Sequence, residues 1–405
     1  MVFDPESMHF CLDTFVFDNV LGDTWAEASQ IFGRGVVQYV DHKWLTSFRA
    51  REKALQDKAQ ALLKDELLPI HLLMSNHVKF GWPIRFEGIN SVDIPVLVTN
   101  VTKYTGNCRI QEAGYLALGF LLDSLHEEQS NDDNVVTSGY VLQLLTDMDM
   151  ATVAVGALRA CMTSPTCVMW TTGVLCKLLK NPFNIEKIAA VGGMTTMLAA
   201  MTKHATDQQV ALQTMCVIME IFIVLDENVP EAFHAGDGMH SVVAVMRLHP
   251  QNATIQITGC AILAKYFKFA EEAHLILPIS FLDTMVLDVL EHCLVIGVNT
   301  NPIQIQMAAF AIGKLCMNTT NRSEVIMTDI PRLLIKAMSV YNTHIQLQER
   351  GFFALWLMAH KNIIMQQHLK VYGALHVVDN ILLLPGATLC SVKNALSLGK
   401  WMRSM

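Results

Sequence analysis

Residues 110–121 read IQEAGYLALGFL, residues 255–266 IQITGCAILAKY, residues 304–315 QIQMAAFAIGKL and residues 347–358 LQERGFFALWLM. Each stretch sets a small residue at offset 4 (Gly114, Gly259, Ala308, Gly351) and an apolar pair at offsets 7 and 8. Apolar residues at this spacing form one stripe of an α-helix, and the small residue lets a second helix approach closely. With the offset-4 residue as a ruler, further copies fall at Thr171, Thr214 and Asn394, and the successive spacings are 57, 43, 45, 49, 43 and 43. A second signal, a Gly or Ile-Pro helix start, lies 20 or 21 residues ahead of most copies, at Ile94-Pro95, Gly193-Met194, Gly238-Met239, Ile330-Pro331 and Gly373-Ala374. One such unit cannot bury its own stripe. Stacked neighbours can, and a fixed period of this length predicts helical units repeated along one axis.

The period near 43, the Gly-Ala or Ile-Pro second helix and a third helix ending in Ala-Leu-Gly-x-Leu resemble the armadillo repeat. Ala117-Leu118-Gly119-Phe120-Leu121 and Ala311-Ile312-Gly313-Lys314-Leu315 carry the resemblance best. It implies an all-α protein, a right-handed α-solenoid of about seven armadillo repeats over residues 79–405, with a concave face built by the third helices. Residues 1–78 do not fit the period. Within them, residues 44–68 are rich in Ala, Leu, Lys and Glu, with Leu55, Ala59, Leu62 and Leu63 at helical spacing. This region is expected to be a helical cap for the first repeat, or a docking helix for a partner. The long first spacing assigns an acidic surface loop to residues 123–140 (DSLHEEQSNDDNVVTSGY), and the 49-residue spacing assigns a second loop to residues 294–303 (LVIGVNTNPI).

Composition narrows the function. Hydrophobic residues make up 52% and charged residues 16% of the 405, which excludes a mostly disordered chain. The mean hydropathy is positive, yet charges or amides interrupt every apolar window long enough to span a bilayer, Glu220 among them. Ten scattered cysteines without a C-x-x-C pair read as buried thiols of a reducing compartment. The first residues carry Asp4, Glu6 and Asp13 and no basic segment, so a cytoplasmic or nuclear address is expected. A net charge of −8 gives no support for nucleic-acid binding.

The 15 histidines include no H-E-x-x-H and no pair placed beside a C-x-x-C, so no metal ligand set is expected. Gly192-Gly193 and Gly236-x-Gly238 read as breaks before a helix rather than as phosphate loops. No G-x-S-x-G elbow or kinase set is present. The sequence therefore predicts a non-enzymatic chain without cofactors, and Met194, Met197, Met201, Met215 and Met219 read as core.

The resemblance gives one pointer to a site. Importin-type arrays carry Asn at offset 10 of the third helix and Trp at offset 6. Here offset 10 holds Phe120, Lys177, Glu220, Lys265, Lys314, Leu357 and Lys400, and offset 6 holds Leu116, Gly173, Cys216, Ala261, Phe310, Phe353 and Leu396. An import adaptor is disfavoured. The row Lys177, Lys265, Lys314 and Lys400, with Phe310 and Phe353 as apolar anchors, instead implies a groove for extended, acidic protein segments, as in β-catenin-like arrays. Lys187 is placed on the convex face, where a charge reversal is expected to do little to partner binding. The alternative function is a structural or regulatory subunit held permanently in a larger assembly.

Overall fold

The structure is a computed structural model that describes residues 93–124, 138–224, 229–273, 285–384 and 388–404. Every regular element among them is a helix, so the protein is all-α. The proposed cap at residues 1–78, and most of the acidic stretch at residues 123–140, lie outside the described residues. The two ends of that stretch are helical, since α2 runs through Ser124 and α3 begins at Ser138.

The chain divides into two compact units, Met1–Val229 and Pro230–Met405. The first contains α1 (Asp93–Lys103), α2 (Cys108–Ser124), α3 (Ser138–Asp147), α4 (Met150–Ala160), α5 (Pro165–Leu178), α6 (Pro182–Ala190), α7 (Gly193–Lys203) and α8 (Gln208–Val224). Its long helices α2, α5 and α8 pack in a row, backed by α1, α4 and α7. The second contains α9 (Val229–Ala235, from its Pro230), α10 (Gly238–Leu248), α11 (Ala253–Glu272), α12 (Leu287–Thr300), α13 (Pro302–Leu315), α14 (Thr319–Ile326), α15 (Ile330–Val340), α16 (Ile345–Ala359), α17 (Ile363–Val371), α18 (Ala374–Leu383) and α19 (Leu389–Arg403). Here α11, α13, α16 and α19 form the row, with α10, α12, α15 and α18 behind them.

Local chemistry explains the helix ends. Ser164, Asn181, Asn252, Asn301, Asn318 and Asn362 each accept a backbone N–H of the first turn that follows them, which satisfies donors a helix start leaves open. Pro165, Pro182 and Pro302 occupy the first helical position, where a missing N–H costs nothing. The residue before α4, α7, α10 and α18 is left-handed in every case, at Asp149, Gly192, Asp237 and Gly373. That sharp bend turns each short helix into the next; Gly192-Gly193 and Gly236-x-Gly238 mark the breaks before α7 and α10 in the sequence, whereas Asp149 carries no such signal.

One joint recurs in both units. The side-chain amide of Gln111 donates to the carbonyls of Val101 (2.8 Å) and Tyr104 (2.9 Å) at the end of α1. Gln256 does the same to Met246 and His249 (2.8 and 3.0 Å), and Gln348 to Met338 and Tyr341 (2.8 and 3.0 Å). Three residues along, Gly114, Gly259 and Gly351 lie so close to Val101, Met246 and Met338 that a β-carbon would collide with those side chains. The small ruler residue is therefore a helix crossing, and the glutamine beside it satisfies carbonyls that a helix end leaves bare. The methionines of α7 and α8 are core as expected, all of them at most 4% exposed.

The second loop is a correction. Residues 294–300 belong to α12, which continues to Thr300, and Asn301 alone links it to α13 while capping it. Gly297 does not break the helix; it leaves room for Ile305, which a β-carbon would strike. α12 runs to 14 residues against 11 in α7, α10 and α15 because it takes up the turn before α13; its start at Leu287 lies as far ahead of Ala308 as Gly193 lies ahead of Thr214, so the extra residues of this spacing fall ahead of Leu287. Among the described residues no single helix is long and apolar enough to cross a membrane, although α3 and α4 together, bent by 70°, have the length and composition. The 20-residue helix α11 carries Lys265, Lys268, Glu271 and Glu272.

Candidate functional site

The row of lysines divides when side chains are followed. In the first unit Lys177 turns inward and its ammonium donates to the carbonyl of Gly119 on α2 at 2.9 Å. It fastens α5 to α2. In the second unit, Lys314 on α13 lies over two rings at once, 5.5 Å from the centroid of Phe310 and 5.7 Å from that of Phe353. Attraction between a cation and the negative face of each ring fixes the ammonium there.

Gly313 is what makes this arrangement possible. A β-carbon at that position would run into the Phe353 ring, so the glycine next to Lys314 lets α16 lay its phenyl group against α13. The Ala-Ile-Gly-Lys-Leu motif thus sets a ring and a cation side by side. Arg350, one turn before Phe353, adds its guanidinium 4.6 Å from the Phe310 centroid and donates to the Met307 sulfur at 2.8 Å. Burial pushes its pKa down to about 10, partly opposed by Glu349, and it stays charged at neutral pH.

Across the α11–α13 contact stand Lys265, Lys268 and Glu272, at positions that share one face of α11. Lys268 pairs with Glu272 at 3.7 Å. Desolvation holds the Lys314 pKa below its ordinary value, Lys268 and Lys265 repel its charge further, and Glu272 opposes them. The structure therefore brings together Phe310, Lys314 and Phe353, with Lys265 close by. Lys400 is exposed on α19. Next to it Trp401 meets Trp356 of α16, the rings 6.4 Å apart and 26° from parallel, and His360 lies 5.0 Å from Trp356 and 5.9 Å from Trp401.

Lys187, outside the row, holds a helix bend. Its ammonium donates to the carbonyl of Thr146 at 2.9 Å and pairs with Asp149 at 3.1 Å, at the left-handed bend between α3 and α4. Sequence reasoning also passed over Lys268, Arg350 and Trp356. Each stands three residues from a residue already chosen, Lys265 or Phe353, so helical spacing was the available signal.

Other reactive groups have structural surroundings. Burial pushes the thiols of Cys216 and Cys316 up to about 12 and that of Cys167 up to about 11, so all three are protonated at neutral pH. Among the described residues no group of three His, Cys, Asp or Glu side chains is placed to hold a metal ion.

No protein-family model matches the chain, and no curated protein matches it. Among solved structures it is similar to two engineered proteins known from crystallography, each 16% identical to it. One aligns over 88% of this chain and 78% of its own length with a TM-score of 0.56, the other over 64% and 97% with a TM-score of 0.50. At that identity the likeness is one of helical fold alone.

Proposed function

We propose that the protein is a non-enzymatic scaffold of the armadillo type, a right-handed α-solenoid whose third helices hold extended, acidic segments of other proteins along a concave face. The row α11, α13, α16 and α19 and the recurring Gln–Gly joint support the repeat reading, because equivalent residues do the same work in each unit. The observation that carries the functional reading is Lys314, a half-buried ammonium fixed on the faces of Phe310 and Phe353, with Lys265 and Lys268 beside it. Cations gathered in this way attract carboxylates, and the rings supply apolar surface for the rest of a segment.

The test is fluorescence anisotropy with a labelled Glu-rich peptide and the full-length protein. Neutral replacements are the right variants, since a carboxylate at Lys314 would itself be desolvated against two ring faces. Lys265→Gln with Lys314→Met is expected to weaken binding at least about tenfold, or about 1.4 kcal/mol. Added salt should weaken the wild type more than the variant. Lys336→Gln, at an exposed position on α15, should leave binding unchanged. Equal loss at both places, or none in the double variant, would overturn the groove.

A different observation favours the permanent subunit. Ile363, Ile364, Val371, Leu383 and Leu389 are each at least 66% exposed, within one short stretch of the second unit. Exposed apolar side chains in this number suit a lasting interface. Obligate co-elution of the native protein with fixed partners in size-exclusion chromatography would select that reading; a free monomer would reject it.

A further inference from the structure

The contact at Lys314 is continuous with a second, purely aromatic one. Phe353, which lies under the ammonium, and Trp356 are three residues apart on α16 and share its face. Trp356 passes the line on to Trp401 of α19, with His360 against both indoles. All three rings are half-buried, so each keeps part of its surface open to solvent. The Nδ1 atom of His360 is buried and has no hydrogen-bond partner, which leaves the ring held by its aromatic neighbours. The nearby Arg403 is engaged by Asp379. Lys314, Lys265 and Lys268 thus stand at one end of this line, and indole surface, with the exposed Lys400 beside it, at the other.

We propose that the second unit reads an extended partner segment at two points: an acidic side chain at Lys314, Lys265 and Lys268, and, about five residues along, a leucine- or tryptophan-sized side chain on the Trp356–His360–Trp401 rings. The spacing follows from the packing. Neighbouring helices stand about 8–10 Å apart, and the ring cluster, shared by α16 and α19, is one and a half such steps from α13. That is about 15 Å, which an extended chain covers in four or five residues at about 3.3 Å each. Charge at the first point speeds encounter and sets direction, while a large apolar side chain packed on aromatic surface supplies most of the affinity. Glu272, already paired with Lys268 and facing Lys314, is the carboxylate with which the segment's own must compete.

This inference rests on the groove reading, and the experiment separates the two. The probes are fluorescein-labelled Gly/Ser peptides with a Glu-Glu pair and one Leu placed about two, five or ten residues beyond it, and a matching peptide with Gly for Leu. Anisotropy is measured on the full chain and on Lys314→Met, Trp401→Ala and Trp401→Phe, with circular dichroism as the folding check. The five-residue peptide is expected to bind the wild type about tenfold tighter than the Gly peptide and to shift tryptophan emission. That advantage should vanish in Trp401→Ala and survive in Trp401→Phe, whereas Lys314→Met should weaken every peptide alike. If the peptides bind and respond to Lys314→Met but Leu adds nothing at any spacing, or its gain persists in Trp401→Ala, the second contact point is wrong and the groove stands. If no peptide binds, or binding ignores Lys314→Met, the groove reading falls and the inference with it.

Discussion

The two units share a joint and differ in what they do with a lysine. Gln111 with Gly114 in the first unit, and Gln256 with Gly259 and Gln348 with Gly351 in the second, close the same crossing with the same two hydrogen bonds. At offset 10, Lys177 is spent on the carbonyl of Gly119, while Lys314 rests on rings from two helices. Positions that make the repeat are fixed by backbone geometry and so recur. Positions on its open side depend on whichever residue the next repeat supplies.

The largest expected effect tests the shared part. Gly259→Leu should destabilise the second unit by about 1–3 kcal/mol in chemical denaturation, because the added side chain has to displace Met246 from a packed crossing. Gly114→Leu should cost the first unit a similar amount against Val101. Gly173→Ala, whose β-carbon would meet only the amide of Gln213 at ordinary contact distance, should be tolerated. A silent Gly259→Leu would mean that the crossing is loose and that the two joints are not equivalent.

That contrast shows why much of the fold was legible and the site less so. The period located the starts of α2, α8, α11, α13 and α16 within a residue or two, because a small residue and an apolar stripe are sequence-local demands. It misread residues 294–303, where Gly, Asn and Pro look like a loop, since the need for Gly297 comes from Ile305 across the crossing. Gln111, Gln256 and Gln348 stood in the quoted motifs unnoticed. Their partners are carbonyls seven and ten residues upstream, which no side-chain pattern advertises. The destination of each lysine was equally hidden. Lys314 needs Phe353, 39 residues away in sequence, and Gly313 to admit it.

The next effect sharpens the contrast between the lysines themselves. Lys177→Met removes a charge-assisted hydrogen bond from a half-buried carbonyl and should cost the first unit about 1 kcal/mol. It should not change the binding of acidic peptides. Lys314→Met should show the reverse: stability kept or slightly raised, because a desolvated ammonium is removed, together with weaker binding. Matching losses of stability in the two variants would show that offset 10 is a structural position in both units.

The smallest effect concerns a surface carboxylate of the second unit and fixes how much of its stability is electrostatic. Desolvation raises the Glu291 pKa above its ordinary 4.5, repulsion from Asp329 and Asp288 raises it further, and Arg332 works against them. The folded chain therefore holds the Glu291 proton more tightly than the unfolded chain does. Its contribution to stability is fully present below the unfolded value and is lost as pH rises through the raised folded value. A neutral amide does not lose it. Glu291→Gln should consequently match the wild type in thermal melts below about pH 4 and melt higher from mildly acidic pH upward, with the gap widening until Glu291 is fully ionised. Arg332 is already engaged by Asp329, so removing Glu291 does not strand its charge. A variant that melts lower than the wild type at neutral pH would mean that attraction to Arg332 outweighs burial and the two aspartates, and would reverse the sign of this carboxylate's contribution.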